Sequence, residues 1–485
     1  MVFLSHIVFF TTEITTPNGS EGGHIMYPGT LSACLLGTLL MLPLTETVGQ
    51  PTVHFDQYAL SNGLTVILHE DHSAPVAAVV VMYHVGSKNE KAKRTGFAHL
   101  FEHVMFKGSE HVADGEHFKL LQEIGANING STTEDRTNYF EIVPSNYLEL
   151  ALYLESDRMG FLQPAITQSK LDNQRDVVKN ERRQNYDNQP YGTAREKIAK
   201  ALFPEGHPYS WPVIGYMEDL SAASLDDVKS FFRTYYAPNN ACLVVSGDLT
   251  AKQTREWIEN YFGPIPRGTE IHRPKPEPVS LQADRRMVFE DKVQLPRLYL
   301  TWPGPAMNTR ADAVLDVLTD ILTSGKNSRL YKSLVFDKQI AQTVRAYQDG
   351  SEIAGMLGIE VTAKPGKSLA EMESAVNAEI ARLLSEGVTE KEIQTSINRK
   401  ETQLINSMTT VFGIGNALAT YYCLTGDAGN FNKEFDRFKG ITPDEVLREA
   451  RTMFSSHKVV LSIVPEGKTN LSAEQSGNQP KGTAK

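Results

Sequence analysis

Short apolar runs and longer mixed segments alternate along the chain after residue 60. Leu64 to Leu68 and Val76 to Tyr83 are apolar runs of strand length, and a Ser-Asn-Gly turn precedes the first of them. The polar segment from Ala126 to Thr133 is also expected to be extended. Residues 165–186 are rich in charged residues and predict a long helix. Strands and helices are therefore mixed within the first part of the chain.

A first helix is predicted over residues 95–108. Thr95 is a suitable N-terminal cap and Gly108 a suitable stop. Apolar residues on one side of this segment predict that the helix packs onto the neighbouring strands.

The same order of elements recurs further along the chain. Ser224 caps a predicted helix that leads to the apolar run from Ala241 to Val245. Thr442, 218 positions after Ser224, caps a second such helix, which leads to the run from Val459 to Ile463. The constant order predicts an internal duplication. We expect an α+β fold of two duplicated domains, each a mainly antiparallel sheet with packed helices.

Proline and apolar content predict where these domains begin and end. Five prolines lie between Pro264 and Pro278, as in an extended linker. The final residues are polar and predict disorder. The predicted segments are a leader (1–50), a first domain (51–263), a linker (264–285), a second domain (286–466) and a disordered tail (467–485).

The leader contains a long apolar run from Leu31 to Leu44. Its fourteen residues suit a secretory signal better than a membrane-spanning helix. We therefore expect export, to the periplasm if the source is bacterial, with the leader either cleaved or kept as a tether. An alternative start at Met26 would shorten the leader.

Composition excludes several other classes of protein. Of the 485 residues, 41% are hydrophobic and 22% are charged, which is typical of a globular protein. The net charge of -10 argues against a nucleic-acid partner. The three cysteines, Cys34, Cys242 and Cys423, are too few for a disulfide framework, and the last two are expected in the core.

Candidate chemistry lies in the first predicted helix. His99 and His103 are four positions apart, so both imidazoles can reach one metal ion, and Glu102 projects beside them. A catalytic zinc site needs a third protein ligand and an open position. Glu181 is the preferred third ligand, while the spacing leaves Glu134 and Glu141 open.

This His-x-x-Glu-His pattern, with Glu181 downstream, resembles the inverted-zincin metallopeptidases of the pitrilysin/insulinase family, in particular its half-size branch. The resemblance spans about residues 55–465. It implies a zinc metalloendopeptidase that cuts extended or unfolded peptides. His99, His103 and Glu181 would hold Zn²⁺, and Glu102 would activate water.

The resemblance also implies a place for the substrate. Residues 125–132 resemble the family's substrate strand, with which an extended peptide pairs through its main chain. Asn129, Gly130 and Ser131 are the expected substrate contacts. The alternative is that Asn129 and Gly130 form a turn.

Several positions depart from the family pattern. In the second half, Asp316, Thr319 and Asp320 align with the motif, so this half is expected to lack zinc. The family's substrate-binding Arg and Tyr align with Gly358 and Pro365, which cannot replace them. The missing pair implies a second subunit of the same fold, or a homodimer. Gln174 stands where relatives carry an acidic residue.

Two rival functions remain at this stage. One is a non-catalytic scaffolding subunit, and the other is a zinc-dependent hydrolase of a non-peptide substrate.

Other conspicuous residues have simpler interpretations. His111 and His117 are expected at the surface, and Tyr209 and Trp211 are expected to pack in the protein interior.

Overall fold

The computed structural model describes residues 52–273, 275 and 278–473. The predicted leader lies outside the described residues. The first half of the described chain forms a six-stranded sheet in the order β1-β2-β6-β3-β5-β4. Its strands are β1 (Asp56–Ala59), β2 (Thr65–Glu70), β3 (Val76–Tyr83), β4 (Asn127–Thr132), β5 (Thr137–Pro144) and β6 (Ala241–Gly247).

The second half forms a five-stranded sheet in the order β7-β11-β8-β10-β9. Its strands are β7 (Arg285–Asp291), β8 (Arg297–Gly304), β9 (Ala341–Gly350), β10 (Gly355–Ala363) and β11 (Val459–Pro465). Strand β2 pairs in parallel with β6 in the first sheet, and β7 pairs in parallel with β11 in the second, while the other pairs are antiparallel. Apart from β1, the two topologies are identical, which confirms the predicted α+β fold and its duplication.

Helices cover both sheets. They are α1 (Phe97–Val104), α2 (Glu116–Glu123), α3 (Leu148–Ala165), α4 (Gln168–Arg182), α5 (Ala194–Leu202), α6 (Met217–Ala222), α7 (Leu225–Tyr235), α8 (Ala251–Phe262), α9 (Arg310–Thr323), α10 (Leu369–Glu386), α11 (Glu390–Ser407), α12 (Val411–Thr425) and α13 (Pro443–Ser455). Ser224 and Thr442 cap α7 and α13 as predicted, because each hydroxyl accepts a hydrogen bond from the third residue of its helix.

Each half contributes a helix to the other half's sheet. Helix α12 packs its apolar side, including Leu418 and Cys423, against Val80 and Cys242 of the first sheet. Helix α5 packs Ile198 beside strand β11 of the second sheet. Each large apolar side chain buried in this way contributes about 1.5–3 kcal/mol. The two halves are therefore joined by shared hydrophobic cores, and Cys242 and Cys423 are buried as expected.

Two element boundaries differ from the prediction. Helix α1 begins at Phe97, after Gly96 in the left-handed region, and Thr95 does not cap it. The Thr95 hydroxyl instead donates to Asp219 at 2.6 Å. The predicted disordered tail is also too long, because the Ala473 amide donates to Ser462 in β11 at 3.0 Å. Thr95 is thus bound to a residue distant in sequence, and Ala473 is bound to a strand of the second sheet.

No helix in the described part of the chain is long and apolar enough to cross a membrane.

Candidate active site

Helices α1 and α4 bring together the three residues expected to bind metal. One donor atom from each of His99, His103 and Glu181 lies within 4.8 Å of the others. Glu181 Oε2 is 3.2 Å from His103 Nε2 and 3.7 Å from His99 Nε2. Two imidazoles and one carboxylate are the donor set of a catalytic zinc site with an open position.

The sequence of α1 explains why its polar side chains face this site. Leu100, Phe101 and Val104 are buried in the core of the first half. Phe101 stacks on Phe232 and Tyr236, with ring centroids 5.8 and 4.9 Å apart. This packing fixes the rotation of the helix, so the two histidines and Glu102 lie on its other side.

The electrostatics of the site suit a cation. Burial, with a contribution from His103, lowers the pKa of His99 to about 4, so this imidazole is neutral and can donate a lone pair. Burial alone would raise the pKa of Glu181, but hydrogen bonding to His103 and the nearby histidines lower it. Among the described residues, His99 Nδ1 is buried without a hydrogen-bond partner. The residues present therefore fit a zinc ion.

Glu102 lies beside the three donors and is held by strand β4. The Thr132 hydroxyl donates to Glu102 Oε2 at 2.6 Å. Burial raises the pKa of Glu102, and the bond from Thr132 opposes that shift. Gly130 leaves little space there, because a Cβ at this position would lie 3.1 Å from Glu102 Cγ. Thr132 was not expected to contact Glu102, although it follows directly on the expected substrate residues.

The other candidate ligands have different partners. Glu134 lies 3.4 Å from Arg195. Glu141 is fully buried, 3.1 Å from Arg158 and 3.5 Å from His117. The prediction that His117 lies at the surface is therefore wrong, because α2 turns its imidazole into the core. His111 is exposed as expected.

His117, Glu141 and Glu155 form a second group of possible metal donors. Arg158, however, contacts both carboxylates and lies 4.4 Å from the Tyr139 ring centroid. The guanidinium already supplies the positive charge that a metal ion would bring. We interpret this group as a buried ion-pair cluster.

The expected substrate residues lie on β4, at one edge of the first sheet. Asn129 and Gly130 are paired with Phe140 and Tyr139 of β5, so they belong to a strand and the turn interpretation is wrong. The Ser131 hydroxyl donates to Asn138 at 2.6 Å. The turn of this hairpin lies at residues 133–136 instead.

The aligned positions in the second half have structural contacts. Asp316 and Asp320 lie 3.4 and 3.7 Å from Lys400. Gly358 is buried in β10, where a Cβ would lie 2.3 Å from the Tyr347 ring, and Pro365 follows that strand. Within the described residues, the candidate donor groups all belong to the first half.

Three further residues have contacts beyond those expected from the sequence. Gln174 is buried and donates to Asn173 at 2.6 Å. Tyr209 and Trp211 are buried as predicted, but each also donates a hydrogen bond. Tyr209 donates to Asp135 at 2.5 Å, and the Trp211 indole donates to the carbonyl oxygen of Ser87 at 3.0 Å.

Comparisons with known proteins agree with this architecture. The family model described as Insulinase (Peptidase family M16) matches residues 65–210, and the model described as Peptidase M16 inactive domain matches residues 222–400. Together the two matches cover more than half of the chain.

Individual relatives extend over most of the described chain. "Zinc protease PqqE" of Helicobacter pylori is 29% identical, over 82% of this chain and 90% of its own. "Probable mitochondrial-processing peptidase subunit beta, mitochondrial" of Arabidopsis thaliana is 22% identical, over 84% of this chain and 77% of its own. A crystal structure of a Helicobacter pylori protease superposes with a TM-score of 0.79 at 26% identity, covering 86% of this chain and all of its own. With two family models matched in succession, the chain belongs to the insulinase family, peptidase family M16.

Proposed function

We propose that the protein is a zinc metalloendopeptidase that hydrolyses extended or unfolded peptides. The observation that carries this proposal is the convergence of His99, His103 and Glu181 within 4.8 Å, with Glu102 beside them. A site that had lost its catalytic activity would have no physical need to retain all four groups. The names of relatives as zinc proteases support the same conclusion.

Each residue has a separate chemical task. His99, His103 and Glu181 would hold the ion. Zinc, when bound, polarises the scissile carbonyl and lowers the pKa of water to about 7. Glu102 receives the proton of the attacking water and later delivers it to the leaving amine. The Thr132 hydroxyl occupies one carboxylate oxygen of Glu102 and so orients the other oxygen.

The substrate pairs with the free edge of β4. This strand bonds to β5 on one side, and no strand of the described residues pairs with its other side. An extended peptide can add there through main-chain hydrogen bonds, which accept many sequences. Asn129, Gly130 and Ser131 lie along this edge, and Gly130 lies next to Glu102. A folded substrate would have to unfold locally before it could pair.

A second subunit completes the substrate site, either a protein of the same fold or another copy of this chain. Gly358 and Pro365 supply no side chain that can bind a peptide carbonyl group. The name of one relative as a subunit beta supports a multisubunit arrangement. Export to the periplasm remains a prediction from residues 31–44.

The proposed activity is tested with the full chain, zinc-loaded, and a pool of unstructured peptides. The parent chain and a Glu110→Gln control are expected to cleave, whereas Glu102→Gln is expected to bind zinc without cleaving. Retained cleavage by Glu102→Gln would contradict the assigned base. Cleavage that appears only after a partner subunit is added would identify a heterodimer. Zinc binding without cleavage in any combination would favour a scaffolding subunit.

A further inference from the structure

A cluster of buried charges holds the turn between β4 and β5. Asp135 lies in this turn and is 6% exposed. Its Oδ1 accepts hydrogen bonds from Lys88 Nζ at 3.0 Å and from the Tyr209 hydroxyl at 2.5 Å. Its Oδ2 accepts from the backbone amide of Glu352 at 2.9 Å. Three separate segments therefore meet at one carboxylate.

The second half contributes directly to this cluster. Glu352 lies between β9 and β10, and its carboxylate contacts Lys88 Nζ and, at 2.6 Å, His84 Nε2. The next residue, Ile353, donates its amide to the Tyr209 hydroxyl at 3.1 Å. The Lys88 side chain has no exposed surface. The Lys88–Asp135–Glu352 cluster is therefore a largely buried contact between the two halves.

The backbone of the turn is fixed at the same place. Ser87 and Lys88 donate their amides to the carbonyl oxygens of Thr133 and Glu134, at 3.2 and 2.9 Å. Gly86 approaches so closely that a Cβ there would lie 2.4 Å from the Thr133 oxygen. The end of β4 is therefore held from outside its own sheet.

An edge strand needs such external support to keep one position. Among the described residues, strand β4 has only β5 as a neighbour, and a shift along β5 would carry Thr132 away from Glu102. Buried ion pairs add little net stability on average, because desolvation offsets their attraction. Their better-attested effect is to select one geometry, which is what β4 needs here.

We propose that Lys88, Asp135 and Glu352 are positioning residues through which the second half holds β4 in place to receive a peptide. This inference rests on the proposed function of β4 as the substrate strand. It gives the second half, whose described residues contribute no donor group to the site, a task in substrate binding.

The test uses zinc-loaded full-length chains that carry Glu102→Gln, so that cleavage does not interfere. Asp135→Asn keeps the side-chain volume but turns an amide towards at least one hydrogen-bond donor. Glu352→Gln removes the charge that Lys88 contacts. Asp56→Asn, at the opposite edge of the same sheet, is the matched control, since its contact with Arg255 is exposed. Affinity for a fluorescent extended peptide and affinity for zinc are measured on each variant.

Asp135→Asn and Glu352→Gln are each expected to weaken peptide binding about tenfold. Zinc affinity should stay unchanged, because α1 and α4 carry the donors. The Asp56→Asn control should match the parent chain in both affinities. This split between peptide and zinc affinity would not follow from a general loosening of the fold. Equal losses of both affinities, or unchanged peptide affinity, would overturn the proposal.

Amide hydrogen exchange gives a readout that does not depend on peptide binding. In Asp135→Asn, exchange of residues 127–132 should accelerate about tenfold, while that of the central strand β6 stays unchanged. If the parent chain binds no peptide, alone or with a partner subunit, the proposed function fails, and this exchange measurement alone decides whether the cluster holds β4. Unchanged exchange in β4 would overturn that role.

Discussion

The hydroxyl of Thr132 donates a 2.6 Å hydrogen bond to Oε2 of Glu102. Thr132 is the last residue of the edge strand β4, and Glu102 lies on helix α1 between the two histidines. One hydrogen bond therefore joins the strand that would bind the peptide to the residue that would receive the proton.

Removing this hydroxyl should slow cleavage without removing the metal. Thr132→Val keeps the branched shape but leaves the half-buried Glu102 carboxylate without its partner, which should lower kcat about tenfold. Thr132→Ser retains the hydroxyl and should cleave at nearly the parent rate. Steady-state kinetics measure the cleavage rate, and the zinc content of each variant shows whether the metal is retained. Equal cleavage rates for Thr132→Val and Thr132→Ser would show that the hydrogen bond to Glu102 has no role in catalysis.

Gly130 should be intolerant of even a methyl group. Its added Cβ would lie 3.1 Å from Glu102 Cγ and 3.3 Å from a Tyr139 ring carbon, so Glu102 would have to shift. Gly130→Ala is therefore expected to lower kcat more than peptide affinity. Asn127→Ala is the control, because it changes the same exposed edge without approaching Glu102. Gly125→Ala is unsuitable, because Gly125 has a positive φ. A normal kcat in Gly130→Ala would contradict the close approach.

Zinc affinity distinguishes Glu181, the assigned third ligand, from the alternative ligand Glu134. Glu181→Gln should weaken zinc binding by more than about 100-fold, since changing groups that merely orient ligands already costs about 10–100-fold. Glu134→Gln should leave zinc affinity unchanged, because Glu134 faces Arg195 instead. Competition with a fluorescent chelator measures both affinities. Loss of zinc in Glu134→Gln would reverse the assignment.

Local patterns predicted much of this structure. The capped helices α7 and α13 and the strands that follow them were visible as repeated sequence, because caps and apolar runs act over a few residues. His99 and His103 were recognisable for the same reason, since their spacing alone places them on one side of a helix.

Contacts between distant segments could not be predicted in this way. His117 resembles a surface residue locally, but its environment is set by Glu141 and Arg158, which come from other elements. Asp135 and Glu352 are 217 positions apart, and either could be an ordinary loop carboxylate. Only the fold reveals that they meet.

Glu90 caps helix α1 from a position just before the helix. Gly96, which precedes α1, has no side chain to cap the helix, and the Glu90 carboxylate accepts from the Gly96 and Ala98 amides at 2.9 and 2.8 Å. Glu90→Ala should lower the free energy of unfolding by about 2 kcal/mol, because two buried amides lose their acceptor. Urea unfolding measures this, with the exposed Glu123→Ala as control. An equal effect of both substitutions would contradict the capping role.

His117 and His111 should respond to acid in opposite directions. Burial, with help from Arg158, lowers the pKa of folded His117 to about 3. The unfolded chain, with a histidine pKa near 6.5, therefore binds more protons between those values, and stability falls as pH drops below about 6.5. A hydrogen bond to Asp157 raises the pKa of exposed His111, so its contribution is present in acid and is lost as pH rises through its folded pKa.

Urea unfolding at about pH 5 and pH 7.5, with saturating zinc, distinguishes the two histidines. For His117, one proton changes the free energy of unfolding by at most about 1.4 kcal/mol per pH unit. His117→Leu should therefore reduce the loss of stability in acid, since it removes a group that resists protonation in the fold. His111→Gln should make that loss steeper. If His117→Leu kept the parent pH dependence, burial of a neutral imidazole would not be what weakens the fold in acid.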